Sequence, residues 1–287
     1  MKQFENKWAI ILGASSGMGL ATAQKLAASG MKLVLVHRDR RGAMETIQQA
    51  FDKLGSKTEV LTFNVDALNA ESRTAVLQEV KEKVGTQKVH LLLHSIAKGN
   101  LKRIAHTTKE SGTNDSEVDE PFARIKALEA AINFGSQQLG EEDFSLTLQA
   151  MSTSMWSWTK ELIAEDLFAE KARIIGLSSE GHHRIWPGYG AVAVAKSSLE
   201  TLAKYMAVEL GPLGLRTNII QAGITPTTSM EMIPGSELMK ASAKHRNPLG
   251  RLTTTDDIAN AVYLLALPEA DWINGSCIVV DGGENLV

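Results

Sequence analysis

A short apolar run, Trp8–Leu12, passes without a break into Gly13-Ala14-Ser15-Ser16-Gly17-Met18-Gly19, and a helical pattern follows it. Few arrangements tolerate that order. An uninterrupted apolar run stopped by glycine fits a strand buried on both faces of a parallel sheet. The glycines open backbone shapes closed to other residues, so the main chain can come close to an anion resting on the first N–H groups of a helix. Met18–Ser29 supplies that helix, with Leu20, Ala23 and Ala27 on one side and Gly30 as its stop. The spacing G-x-x-x-G-x-G differs from the commoner G-x-G-x-x-G. The physics is shared, and the turn is predicted to cradle a pyrophosphate.

The same rhythm recurs along the chain. Lys32–His37, Glu59–Val65, Val89–His94, Arg173–Leu177, Arg216–Gln221 and Cys277–Val280 read as further strands. Gly42–Leu54, Ala70–Val84, Phe144–Glu165, Gly190–Leu210 and Thr255–Leu267 read as helices, the last capped by Thr254 or Thr255 with Asp256-Asp257 suiting its dipole. Alternating strands and helices imply parallel βαβ crossovers. The fold class is therefore α/β: a single Rossmann-type, doubly wound domain over residues 1–287, with a parallel sheet of about seven strands.

The rhythm breaks over about residues 98–143. Within it Glu110–Glu120 carries five acids, Glu110, Asp115, Glu117, Asp119 and Glu120, and no basic residue, and Pro121 opens a helical pattern, Phe122, Ile125, Leu128 and Ile132, ending near Gly135. The stretch reads as an insertion acting as a lid or a subunit-contact arm.

Composition excludes several classes. A formal charge of −3 gives no global reason to bind nucleic acid. The single cysteine, Cys277, rules out a disulfide framework within the chain and reads as a small buried hydrophobe in the last strand. No apolar run approaches the roughly 20 residues of a membrane span, so a soluble, cytoplasmic protein with no membrane partner is expected. His182-His183 lacks a third ligand at useful sequence spacing, and no metal is expected. Trp156 and Trp158 point to different sides of their helix. Met230 and Met232 line a pocket or fill space.

Two further features carry chemistry. The second strand ends in His37-Arg38-Asp39-Arg40-Arg41, and an arginine at such a strand end accommodates a ribose 2′-phosphate, which predicts NADP; Asp39 facing the ribose would instead favour NAD. A phenol that polarises a carbonyl needs an ammonium nearby, three, four or seven residues on along a helix. Of the three tyrosines, Tyr205 and Tyr263 have no lysine at those distances, and Tyr189 has Lys196 seven residues on.

With these motifs, Asn218-Ile219-Ile220-Gln221-Ala222-Gly223 and Val280-Asp281-Gly282-Gly283, the chain resembles the short-chain dehydrogenase/reductase family along nearly its whole length outside the insertion. Most members carry Tyr-x3-Lys, and Ala193 stands at that lysine position here. Tyr189-x6-Lys196, His94-Ser95-Ile96-Ala97 and Tyr205–Pro212 are similar to the divergent branch of bacterial NADPH-dependent enoyl-acyl-carrier-protein reductases.

The resemblance implies roles. Gly13, Ser15, Ser16, Gly17, Met18 and Gly19 would hold the pyrophosphate side of NADP, Arg38 its 2′-phosphate, and Asn64-Val65 the adenine. Ser95, Ile96 and Ala97 would line the ribose and nicotinamide, Lys196 would bond the ribose hydroxyls, and Gly223, Ile224, Thr225 and Thr227 would cover the nicotinamide. Met230–Leu238 is similar to a mobile substrate-side loop. Tyr189, Lys196 and Ser179 are the implied catalytic group. Ser179 stands where many enoyl reductases have a second tyrosine and carbonyl-reducing members have a serine, and Ser152 replaces the latter's helix asparagine. The implied substrate is a 2-enoyl acyl thioester, carried on acyl carrier protein or free, reduced by a homo-oligomer (dimer or tetramer). The alternatives are a carbonyl reductase acting on 3-oxoacyl groups or forming alcohols and, from another class, a non-catalytic dinucleotide-binding protein.

Overall fold

The computed structural model describes residues 3–105, 132 and 137–287. Seven parallel strands form one sheet in the order β3-β2-β1-β4-β5-β6-β7. They are β1 (Trp8–Leu12), β2 (Lys32–His37), β3 (Val60–Asn64), β4 (Val89–His94), β5 (Phe168–Ser179), β6 (Arg216–Ala222) and β7 (Cys277–Val280). Among the described residues the helices are α1 (Gly17–Ala28), α2 (Met44–Gly55), α3 (Ala70–Val84), α4 (Glu141–Leu148), α5 (Ser154–Ala164), α6 (Gly190–Glu209), α7 (Thr228–Glu231), α8 (Ser236–Arg246) and α9 (Thr255–Ala266).

The period-2 geometry of β1 explains the double winding. Ala9 and Ile11 face a core shared with Leu26 of α1, Phe51 of α2 and Ile258 and Val262 of α9. Trp8, Ile10 and Leu12 face the opposite core, with Val76 and Leu77 of α3, Trp158 of α5 and Leu199 of α6. Both faces are covered, so the whole strand is buried, and each large aliphatic side chain contributes about 1.5–3 kcal/mol. The two tryptophans divide as expected: Trp158 is buried and donates through Nε1 to Ala67 O at 3.0 Å, and Trp156 is exposed. Thr254 caps α9 and forms a reciprocal capping box with Asp257. No described helix is long and apolar enough to cross a membrane.

The structure corrects some expectations. Cys277 is exposed, because β7 closes the sheet as an edge strand and its outer face is uncovered. The helix expected over Phe144–Glu165 starts earlier, at Glu141, and contains a π-helical turn over Gln149–Thr153, where α4 passes into α5. β5 starts at Phe168 rather than Arg173. It slips register against β4 between Val89 and Leu91, and Lys171 takes a left-handed φ of 61° in that stretch. The ends of the expected insertion are stapled together: Arg103 bridges Gln138, and Asn100 and Lys102 both donate to the Asp143 carboxylate. The acidic stretch and the helical pattern from Pro121 to Gly135 lie outside the described residues except for Ile132, whose side chain sits against Gly235 at the start of α8.

Candidate active site

The carboxyl ends of β1, β4, β5 and β6 meet where the strand order reverses beside β1, the crevice in which open α/β sheets bind ligands. The glycine turn lines one side. Gly13 has φ 83°, and a Cβ there would lie 2.5 Å from Ser95 O; a Cβ on Gly19 would lie 2.1 Å from Gly13 O. Side chains are excluded because the turn, α1 and the end of β4 touch backbone to backbone. Ser16 is the N-cap of α1 but makes no side-chain cap bond, and the first turn carries no acid. That leaves a helix N-terminus suited to an anion. Gly17 lies opposite the Thr227 side chain, which brings the loop after β6 across the crevice. The residues fit a dinucleotide pyrophosphate.

At the adenosine end, Arg38 is exposed and pairs with Asp66, Nη1 to Oδ2 2.9 Å. The Asp39 carboxylate is turned inward to the buried His37, whose Nδ1 lies 2.8 Å away. Asn64 holds the Asp39 main chain in both directions, accepting from its N–H at 2.9 Å and donating to its carbonyl at 3.1 Å, so its amide is committed to fixing the β2–α2 loop. Val65 follows it, its N–H donating to His37 O. Ser95 is tied to Leu12 O through its N–H, Ile96 packs on the cores beside it, and Ala97 is exposed. Across the crevice Ile224 N–H donates to the buried Glu284 at 3.4 Å, Thr225 turns its hydroxyl back to Gly223 O, and Thr227 caps α7 through Met230 N–H. Of the two methionines, Met230 is buried and Met232 exposed.

The reactive end is built on the β5–α6 connection. Ser179 ends β5, and Tyr189 is the N-cap of α6. Gly181 lets the phenol ring lie flat on the intervening turn, since a Cβ there would be 2.3 Å from Tyr189 Cε1. The two hydroxyl oxygens, Ser179 Oγ and Tyr189 Oη, stand 3.4 Å apart. Lys196, two helical turns on, is buried and donates from Nζ to Leu177 O at 2.6 Å. Ala193 stands at the usual lysine position and donates its N–H to Tyr189 O, and the neighbouring Val192 is buried in an apolar cluster with Ala150, Met151 and Ala195, against which the Tyr189 ring packs. Ser152 is also buried, in the π turn, and donates to Ser198 Oγ at 3.1 Å.

Burial pulls the Lys196 ammonium down to about 8, and the Glu200 carboxylate opposes the shift. Burial pushes the Tyr189 hydroxyl up, and the Ser179 contact works the other way. The His94 imidazole, buried and beside Lys196, is lowered to about 3 and stays neutral, bonded to Ser154 Oγ at 2.8 Å. Tyr189 is thus a neutral donor over the working range, and Lys196 is the group that titrates. We expect kcat/KM to fall as pH rises through about 8, where free Lys196 loses its charge. A rate that keeps rising through that region would contradict the assignment. For folding the sign is opposite. The depressed lysine destabilises the folded protein below about 8, and this is relieved as pH rises toward its ordinary 10.5.

Sequence spacing pointed to Tyr189 and Lys196 and the family resemblance to Ser179, and the fold brings Ser179 to Tyr189. It missed Glu200, although an i,i+4 relation to Lys196 was available as a signal, and it missed Asp66, which only the fold places on Arg38. It also missed Arg246, which ties α8 to Glu180 after β5 and to Glu284 in the C-terminal turn, at 3.2 and 2.7 Å.

Fold and site together define an oxidoreductase of the dinucleotide-binding class. Two family models match the chain: that described as short chain dehydrogenase over residues 7–120 and that described as enoyl-(acyl carrier protein) reductase over residues 116–285. The chain belongs to the short-chain dehydrogenase/reductase family. It is 27% identical to the NADH-dependent enoyl-[acyl-carrier-protein] reductase of Bacillus cereus, covering 100% of both chains. It is also 27% identical to the 3-oxoacyl-[acyl-carrier-protein] reductase of Escherichia coli, covering 99% of both. Its fold matches the crystal structure of the Bacillus cereus enoyl-acyl carrier protein reductase with NADP+ and an indole naphthyridinone at a TM-score of 0.79, with 24% identity over 100% of this chain and 99% of that one. A Burkholderia cenocepacia short chain dehydrogenase in complex with NADP matches at 0.73, with 21% identity over 99% of each chain.

Proposed function

We propose that this protein is an NADPH-dependent reductase of the C=C bond of 2-enoyl thioesters. The observation that carries it is the seven-residue Tyr189–Lys196 spacing, with the usual lysine position filled by Ala193. When bound, NADPH supplies hydride for the β-carbon. Negative charge then gathers on the thioester oxygen, the Tyr189 hydroxyl donates to that enolate oxygen, with Lys196 buried on the same helix, and tautomerisation with uptake of a proton at the α-carbon gives the saturated thioester. One such preorganised donor is worth about 3 kcal/mol in a dry site. Acyl carrier protein thioesters are substrates consistent with the names of the Bacillus and Escherichia relatives.

The choice of NADPH rests on the β2 end. Asp39, which could have served a ribose diol, is engaged with His37, whereas Arg38 is held only by an exposed ion pair worth about 0–1 kcal/mol. A 2′-phosphate can take Arg38 from Asp66 at little cost. Arg38→Ala is expected to weaken NADPH binding by about ten- to a hundredfold, the loss of one charge-assisted bond, with NADH little affected. Equal losses in a titration of both cofactors would remove Arg38 from the phosphate.

Carbonyl reduction is the second reading, favoured by the Ser179–Tyr189 contact at 3.4 Å. Ser179→Ala separates the two. We expect it to cost crotonyl thioester turnover little, because an enolate needs one donor from Tyr189. A large loss confined to acetoacetyl thioester would select carbonyl reduction. The exposed stripe of Val194, Tyr205 and Val208 on α6, with Trp156 on α5, is consistent with a homo-oligomer, dimer or tetramer, that covers this face.

A further inference from the structure

We propose that His182, His183 and Glu200 form a binding site for a first-row divalent cation, with zinc the ion best suited to two imidazoles and a carboxylate. In the sequence the two histidines have no third ligand near them, and the fold supplies it from α6. One ligand atom from each of the three residues lies within 4.8 Å of the others. His182 Nε2 and Glu200 Oε2 are 3.3 Å apart, about the separation of two ligands bound at roughly 2.0–2.1 Å on a tetrahedral ion. The two imidazole rings stand side by side, 3.9 Å between centroids.

The hydrogen bonds around the cluster are those of a prepared site. His182 Nδ1 lies 3.0 Å from Ser179 O. A carbonyl only accepts, so Nδ1 carries the hydrogen, and the lone pair of a neutral His182 lies on Nε2. That lone pair faces the Glu200 carboxylate, and two acceptors at 3.3 Å are stable only with a cation between them. Glu200 is steadied in turn through its other oxygen, which accepts from Ser178 Oγ at 2.5 Å. Both inner ligands thus have the outer partners that orient metal ligands. The His182 and Glu200 side chains are only 10% and 14% exposed, and exposed His183 gives the site its opening. A water would complete four-coordination. The cation would clamp the turn after Ser179 to α6.

The rival occupant is a proton, making His182 an imidazolium paired with Glu200. Tag-free, metal-stripped full-length protein titrated with Zn2+ by calorimetry, and with Co2+ by visible absorption, decides between them. We expect one Zn2+ per chain, a tetrahedral Co2+ spectrum and a raised Tm with Zn2+. His183→Ala, an exposed change that leaves the fold intact, is expected to weaken Zn2+ at least about tenfold, the loss that removal of even an outer partner brings. Glu200→Gln should do the same. If Glu200→Gln fails to fold, His183→Ala alone carries the test. Zn2+ affinity unchanged in His183→Ala, or no binding to the parent protein, would overturn the site and leave the protonated ion pair.

Discussion

Tyr189→Phe is expected to lower turnover by about two to three orders of magnitude while dinucleotide affinity stays as it was, the usual cost of deleting one oxyanion donor. The substitution removes an oxygen and keeps the ring, so the packing on Met151 and Val192 and the close fit against Gly181 survive. The lost oxygen has one described partner, Ser179 Oγ at 3.4 Å, a long contact whose loss leaves no buried group stranded. The defect should therefore appear in kcat, with fold and Kd for NADPH as controls. Lys196→Ala is expected to lose both turnover and cofactor affinity, since Lys196 would also bond the ribose hydroxyls. Full activity in Tyr189→Phe on every thioester tried would remove the pair from the chemistry.

Gly19→Ala is expected to abolish dinucleotide binding and to destabilise the fold by about 1–3 kcal/mol, the range for forcing an extra carbon into packed structure. The added carbon would stand 2.1 Å from Gly13 O, and neither backbone can yield without displacing the turn. Gly55→Ala is the control. Nothing lies within 4 Å of a Cβ there, so it should leave cofactor affinity unchanged and stability equal or slightly higher. Calorimetric NADPH titration with thermal unfolding of both variants checks the pair. Parent-like affinity in Gly19→Ala would mean that the turn does not hold the pyrophosphate.

These two sites were legible because their signals are local. The glycines follow directly on a strand, and Tyr189 and Lys196 share one helix. The strands were equally readable where both faces are buried, as in β1, where apolar continuity and glycine punctuation coincide. What escaped depends on which elements meet in space. Cys277 looks like core by composition, yet β7 has a neighbour on one side only. The register slip in β5 and the π turn beside Ser152 reflect fitting to partners remote in sequence. Asp66 reaches Arg38 across β3 and β2, and Glu200 reaches His182 across the β5–α6 connection. The double hold of the Asn64 amide on the Asp39 main chain likewise depends on β3 lying beside β2.

Enoyl reduction with NADPH is tested by following NADPH oxidation by the parent protein with crotonyl and acetoacetyl thioesters side by side, with product identification. NADPH loss is expected to be matched one for one by butyryl thioester, with acetoacetyl thioester turned over far more slowly. An inert crotonyl thioester beside rapid formation of 3-hydroxybutyryl thioester would contradict it.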